Sequence, residues 1–145
     1  MNRAEFEALR DVPGKVITGD IKFPKRQATM PALMAENIAI ENSAGVELRL
    51  NIMFNPEIGS KTFNVHVPGV GPICRLDVDG TVHRPAGRSH KHSVANPRCP
   101  DRNLPDGVVD RADLSGKTLR ELFDTFCQMA QIRHDGAFVA PDEKA

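Results

Sequence analysis

The stretch Val46 to Phe54, "VELRLNIMF", alternates with a period of two. Val46, Leu48, Leu50, Ile52 and Phe54 fall on one phase and Glu47, Arg49, Asn51 and Met53 on the other. That period is the mark of a strand with one face on a core. "KTFNVHV" repeats it, with Phe63, Val65 and Val67 against Thr62, Asn64 and His66. "ICRLDV" sets Cys74, Leu76 and Val78 against Ile73, Arg75 and Asp77, and its polar phase is expected to point outward. The turn chemistry of "ENSAG", "NPEIGS" and "PGVGP" separates these runs. "ATMPALMAENIAIENSAG" fits no clean helical stripe, so Met34 to Ile40 is read as the first arm of a hairpin with the Val46 strand. "DG" at Asp79-Gly80 reads as a further turn and "TVHR" as a short strand.

A different period rules both ends. In "DLSGKTLRELFDTFCQMAQI", Leu119, Leu122, Phe123, Phe126, Cys127 and Ala130 recur every three or four residues, which predicts an amphipathic helix. Ser115 is one candidate cap. Thr118 is the other, with Glu121 at the capping-box spacing. Ala4, Phe6, Leu9 and Val12 predict a short N-terminal helix, with Asn2 as its cap, ended by Pro13-Gly14. "KVITGDIKF" predicts a strand bent at Gly19.

These elements specify an α+β fold, an antiparallel β-meander packed against a C-terminal helix and a short N-terminal helix. The length of 145 residues suits one domain. Its expected parts are an N-terminal helix over 1–13, the sheet over 15–94, a loop over 95–114, the C-terminal helix over 115–132 and a flexible tail over 133–145. Phe138 and Val139 are the tail's apolar exceptions.

Composition narrows the function classes. The chain is 40% hydrophobic and 26% charged, within the globular range. It has seven Phe but no Trp or Tyr, which argues against RNA binding on an aromatic platform. Net charge is zero, yet Arg84, Arg88, Lys91, Arg98 and Arg102 face only Asp101 between Thr81 and Arg102. A basic patch on a neutral protein follows. Cys74, Cys99 and Cys127 form no close pair, so free thiols in a reducing compartment are expected. The N-terminal residues lack an apolar signal core, and no run of about 18 apolar residues occurs. A cytoplasmic protein without membrane contact is expected.

The chemistry gathers in "CRLDVDGTVHRPAGRSHKH", Cys74 to His92. It holds three of the five histidines. On a strand, His90 and His92 share a side, which suits a divalent metal. Cys99 would complete a zinc site. The start "DVDGTVH" lacks the spacing and the late Glu of a calcium loop. Metal-independent RNA cleavage needs a base for the 2′-hydroxyl, an acid for the leaving oxygen and a cation for the phosphorane. His83, His90 and His92 supply proton-transfer groups. Arg75, Arg84, Arg88 and Lys91 supply phosphate binders, with Asp77 beside them to orient a histidine. An inert polar hairpin is the plain alternative. No nucleophile elbow, Walker loop or dinucleotide fingerprint occurs, and no cofactor is expected.

The pattern R-x-D-x-x-G-x-x-H over Arg75–His83, then H-x-H at His90–His92, then "LRELFDTFCQMAQI", resembles an uncharacterised family of small phage and mobile-element proteins. More remotely it is similar to the TumE-type toxins of toxin–antitoxin pairs. The resemblance covers Ile73 to Ile132 and marks Arg75, Asp77, Gly80, His83, His90 and His92. After His92 it leads one to expect a bulky apolar strand, where this chain has "SVANPRCP". It implies a mobile-element origin, with RNA as substrate and a cognate antitoxin or host protein as partner. The expected function is a toxin-like protein acting on RNA. The alternatives are a non-enzymatic inhibitor or binding module, and a small zinc protein.

Overall fold

A computed structural model describes residues 3–24, 32–78, 90–92, 108–110 and 112–142. In chain order the elements are α1 (Arg3–Arg10), β1 (Lys15–Thr18), β2 (Leu33–Ile40), β3 (Leu48–Asn55), β4 (Ser60–Val67), β5 (Gly71–Val78), β6 (His90–His92), β7 (Val108–Asp110), α2 (Leu119–Ala130) and β8 (Ile132–Asp135). The fold is α+β. Strands β2 to β7 form an antiparallel sheet in sequence order. No described helix is long and apolar enough to cross a membrane.

The period-two phase becomes the core face. Leu48, Leu50, Ile52 and Phe54 of β3, Phe63 and Val65 of β4, and Cys74, Leu76 and Val78 of β5 are buried. Leu119, Leu122, Phe123 and Phe126 of α2 are buried with them. Phe63 and Phe126 stack with their centroids 5.4 Å apart. Truncating a ring so placed costs about 3–5 kcal/mol.

Two irregularities explain where the alternation reads poorly. Val65 pairs with Cys74 but His66 pairs with Pro72, so Ile73 is an extra residue on β5. That bulge buries Ile73 and Cys74 in succession. On β2, Ala35 pairs with Ile52 and Ile38 with Leu50, so one residue more lies between them than on β3. Asn37 takes a φ of 54° there, and its N–H donates to Asn51 Oδ1 at 2.7 Å. Such a kink on an edge strand discourages pairing with another chain.

The ends depart from the sequence expectation. β1 stands outside the main sheet. It pairs in parallel with β8, Lys15 opposite Ile132 through Thr18 opposite Asp135. A single bridge, Val16 to Glu41, ties it to the residue after β2. The expected flexible tail is therefore built into the fold from Ile132 to Asp142, with Phe138 and Ala140 buried. Its polar composition hides this, because parallel pairing across the whole chain leaves no local pattern. α2 is also shorter than 115–132. Thr118, not Ser115, caps it through a full capping box with Glu121. The expected loop over 95–114 contains β7 and a 3-10 turn at Ala112–Leu114. The expected "TVHR" strand lies outside the described residues.

One glycine is needed where the β1 and β8 segments run on. Gly136 has a φ of 155°, and a Cβ there would sit against the backbone carbonyl of Gly19. Around it, Gly19 N–H donates to Asp135 O at 2.8 Å and Ile21 N–H to Ala137 O at 2.8 Å. Gly136→Ala is expected to destabilise the protein by about 2–3 kcal/mol in urea unfolding. Gly45, with a φ of 67° and open space around it, is the control. Gly45→Ala is expected to cost only about 1 kcal/mol. Equal losses would show that strain, not close approach, governs Gly136.

Candidate functional site

The sheet's other face carries the polar phase. Thr62, Asn64 and His66 of β4 lie beside Arg75 and Asp77 of β5, with Thr62 opposite Asp77 and Asn64 opposite Arg75. Across β5, Arg75 pairs with His92 and Asp77 with His90. Beyond β6, His90 pairs with Asp110 and His92 with Val108. Residues directly opposite in an antiparallel pair share a face. Two rows result. One runs Met53, Thr62, Asp77, His90, Asp110, and the other Asn51, Asn64, Arg75, His92, Val108.

Asp77 is the hub of the first row. Thr62 Oγ1 donates to its Oδ1 at 2.9 Å, and Arg75 Nε donates to Oδ1 at 3.2 Å and to Oδ2 at 3.1 Å. The residue was expected to point outward into solvent. It lies on the polar face but is 7% exposed. A buried carboxylate is held by charge-assisted hydrogen bonds, and these suit it to orient neighbours. It is a poor direct contact for substrate. Arg75 is more open, with 37% of its side chain exposed. The carboxylate fixes Nε and thereby the plane of the guanidinium.

Asn64 Oδ1 and His66 Nδ1, on the same face of β4, are buried with no hydrogen-bond partner among the described residues. Orphaned buried polar atoms are rare and call for an explanation. Here they add two polar atoms beside the Arg75 row.

The alternation of the strands thus brings Arg75, Asp77, His90 and His92 to one face at adjacent register positions. Lys91 pairs with Leu76 and with Val109, between the two rows in register. His83, Arg84 and Arg88 lie outside the described residues, as does Cys99 of the zinc alternative. Among the described residues no three His, Cys, Asp or Glu groups gather to hold a metal ion. Thr62 and Asp110 escaped the sequence reading. Thr62 sat visibly on the polar phase of β4, but its pairing with Asp77 depends on a register shifted by the Ile73 bulge.

If Asp77 is the hub, its removal should cost more than a surface ion pair. Asp77→Ala leaves Thr62 and Arg75 without their acceptor and should lower stability by about 2–3 kcal/mol in urea unfolding. In a double-mutant cycle with Thr62→Val, a coupling of about 1 kcal/mol is expected. A loss below about 0.5 kcal/mol would place the pair among ordinary exposed ion pairs.

Comparison with protein-family models, with curated proteins and with solved structures found no match for the chain, so the chemistry of this face is read from its residues and geometry.

Proposed function

We propose that this is a small toxin-like or mobile-element protein of the cytoplasm that acts on RNA through the Arg/His cluster on the polar face of its sheet. The register that sets His90 opposite Asp77 and His92 opposite Arg75 carries the reading. It supports the reading because residue types with the three abilities that metal-independent RNA cleavage needs fall at neighbouring register positions.

In this reading one histidine takes the proton of a ribose 2′-hydroxyl. The oxygen attacks the adjacent phosphorus, a second histidine protonates the departing 5′ oxygen, and a 2′,3′-cyclic phosphate remains. His90 and His92 are the two candidates, with His83 as the third. Arg75 meets the phosphorane charge, joined by Arg84 and Arg88. Asp77 is a positioning residue for Arg75 and for the His90 position. The scarcity of large aromatics limits base recognition, so cleavage would follow the backbone more than the sequence.

The purified protein should cleave single-stranded RNA in the presence of EDTA and leave 2′,3′-cyclic ends. The rate should follow a bell-shaped pH profile near neutrality. His90→Ala with His92→Ala should slow it by about 100-fold or more, with the unfolding midpoint unchanged. No cleavage by the unaltered protein removes this reading. Stoichiometric capture of one protein partner that survives the double substitution would replace it with a non-catalytic binding module.

A further inference from the structure

A second candidate site lies on the opposite side of β5. Cys74 and Arg75 are neighbours in sequence but alternate across the strand, so the polar cluster and this site share no face. Cys74 is 6% exposed and lines a pocket of about 100 Å³ with Lys15 of β1. Val65, Ile73, Met129 and Ile132 supply apolar wall.

Lys15 is the unusual member. It is 7% exposed, and its Nζ donates to Arg10 O, the carbonyl at the end of α1, at 2.6 Å. Among the described residues it forms no ion pair. The nearby carboxylate is engaged elsewhere, since Asp11 accepts from Arg10 Nε and from an Arg10 terminal nitrogen, both at 2.9 Å. That bond holds the Asp11 carboxyl below its ordinary range. Buried ammonium groups are nearly always paired with a counter-charge. Here burial pushes the Lys15 pKa down, with Cys74 and Asp11 near enough to oppose the shift.

We propose that this pocket binds a small aliphatic monocarboxylate, with Lys15 as counter-ion to the carboxylate and the apolar wall around the tail. A dry cavity of roughly 150 Å³ accepts benzene. The smaller volume here suits a chain of about two to four carbons and excludes an aromatic acid. The site is independent of the RNA reading and stands or falls separately.

The thiol in the wall makes the test. Iodoacetate is itself a small carboxylate, and iodoacetamide is its neutral analogue. In either reaction Cys74 Sγ attacks the methylene carbon, a C–S bond forms and the C–I bond breaks. Iodide leaves, and the thiol proton passes to buffer. The ratio of the two rates at Cys74, read by peptide mass spectrometry, cancels plain accessibility. Cys127, whose thiol burial pushes up to about 12, serves as the inert reference at pH 8.

The ratio of iodoacetate to iodoacetamide at Cys74 should rise by about tenfold in the native protein over the same thiol in denaturant. Butyrate should slow both reagents, and Lys15→Met should return the ratio to its denatured value. An equal ratio in both states overturns the proposal, as does a native ratio untouched by butyrate. If neither reagent reaches Cys74, a butyrate titration by NMR decides. Saturable shifts of the Ala130 and Ile132 amides uphold the site, and their absence overturns it.

Discussion

The packing of α2 on β3, β4 and β5 is the constraint on which everything else depends. A sheet with one apolar face is stable only when that face is covered. Phe126 against Phe63, with Leu119, Leu122 and Phe123 around them, does the covering. Once that face is occupied, alternation leaves the opposite phase of the same strands outside the core. Thr62, Arg75 and Asp77 therefore stand on the polar face as a by-product of burying Phe63, Cys74 and Leu76.

How legible this was in the sequence depends on the range of the interaction. Period-two runs gave β3, β4 and β5, since each strand's burial is written in its own residues. The α2 stripe and its capping box were readable for the same reason. The strand from Leu33 to Ile40 was harder, because an extra residue near Asn37 breaks its phase. β1 with β8 was not legible at all. Val16 and Ile17 suggested a strand, but nothing local says that its partner is Ile132 to Asp135.

The same division applies to the site. The residue types were visible between Cys74 and His92, and so was the shared side of His90 and His92. The depth of Asp77 was not. Its hydrogen bond from Thr62 requires the β4–β5 register, and one bulge at Ile73 decides that register. Lys91 belongs to the basic run by sequence, and the register pairs it with Leu76 rather than with Arg75 or Asp77. Lys15 was hidden altogether. A lone lysine at the start of a strand reads as solvated, and its burial arises from α1, β5 and α2 meeting around it.

The pairing of β1 with β8 has a consequence for the making of the protein. The hydrogen bond from Ala137 N–H to the Asp20 side chain spans 117 positions. Ile21 and Phe138 bridge across a similar distance. Contacts of such separation form late, after local hairpins have closed. On the ribosome, β2 to β5 can zip in order as they emerge, while β1 must wait for β8, its partner far along the sequence. Until then Ile17 and Ile21 stay uncovered, and nascent chains are most open to chaperones and to misassociation in that interval. Closure of the domain thus follows the synthesis of β8.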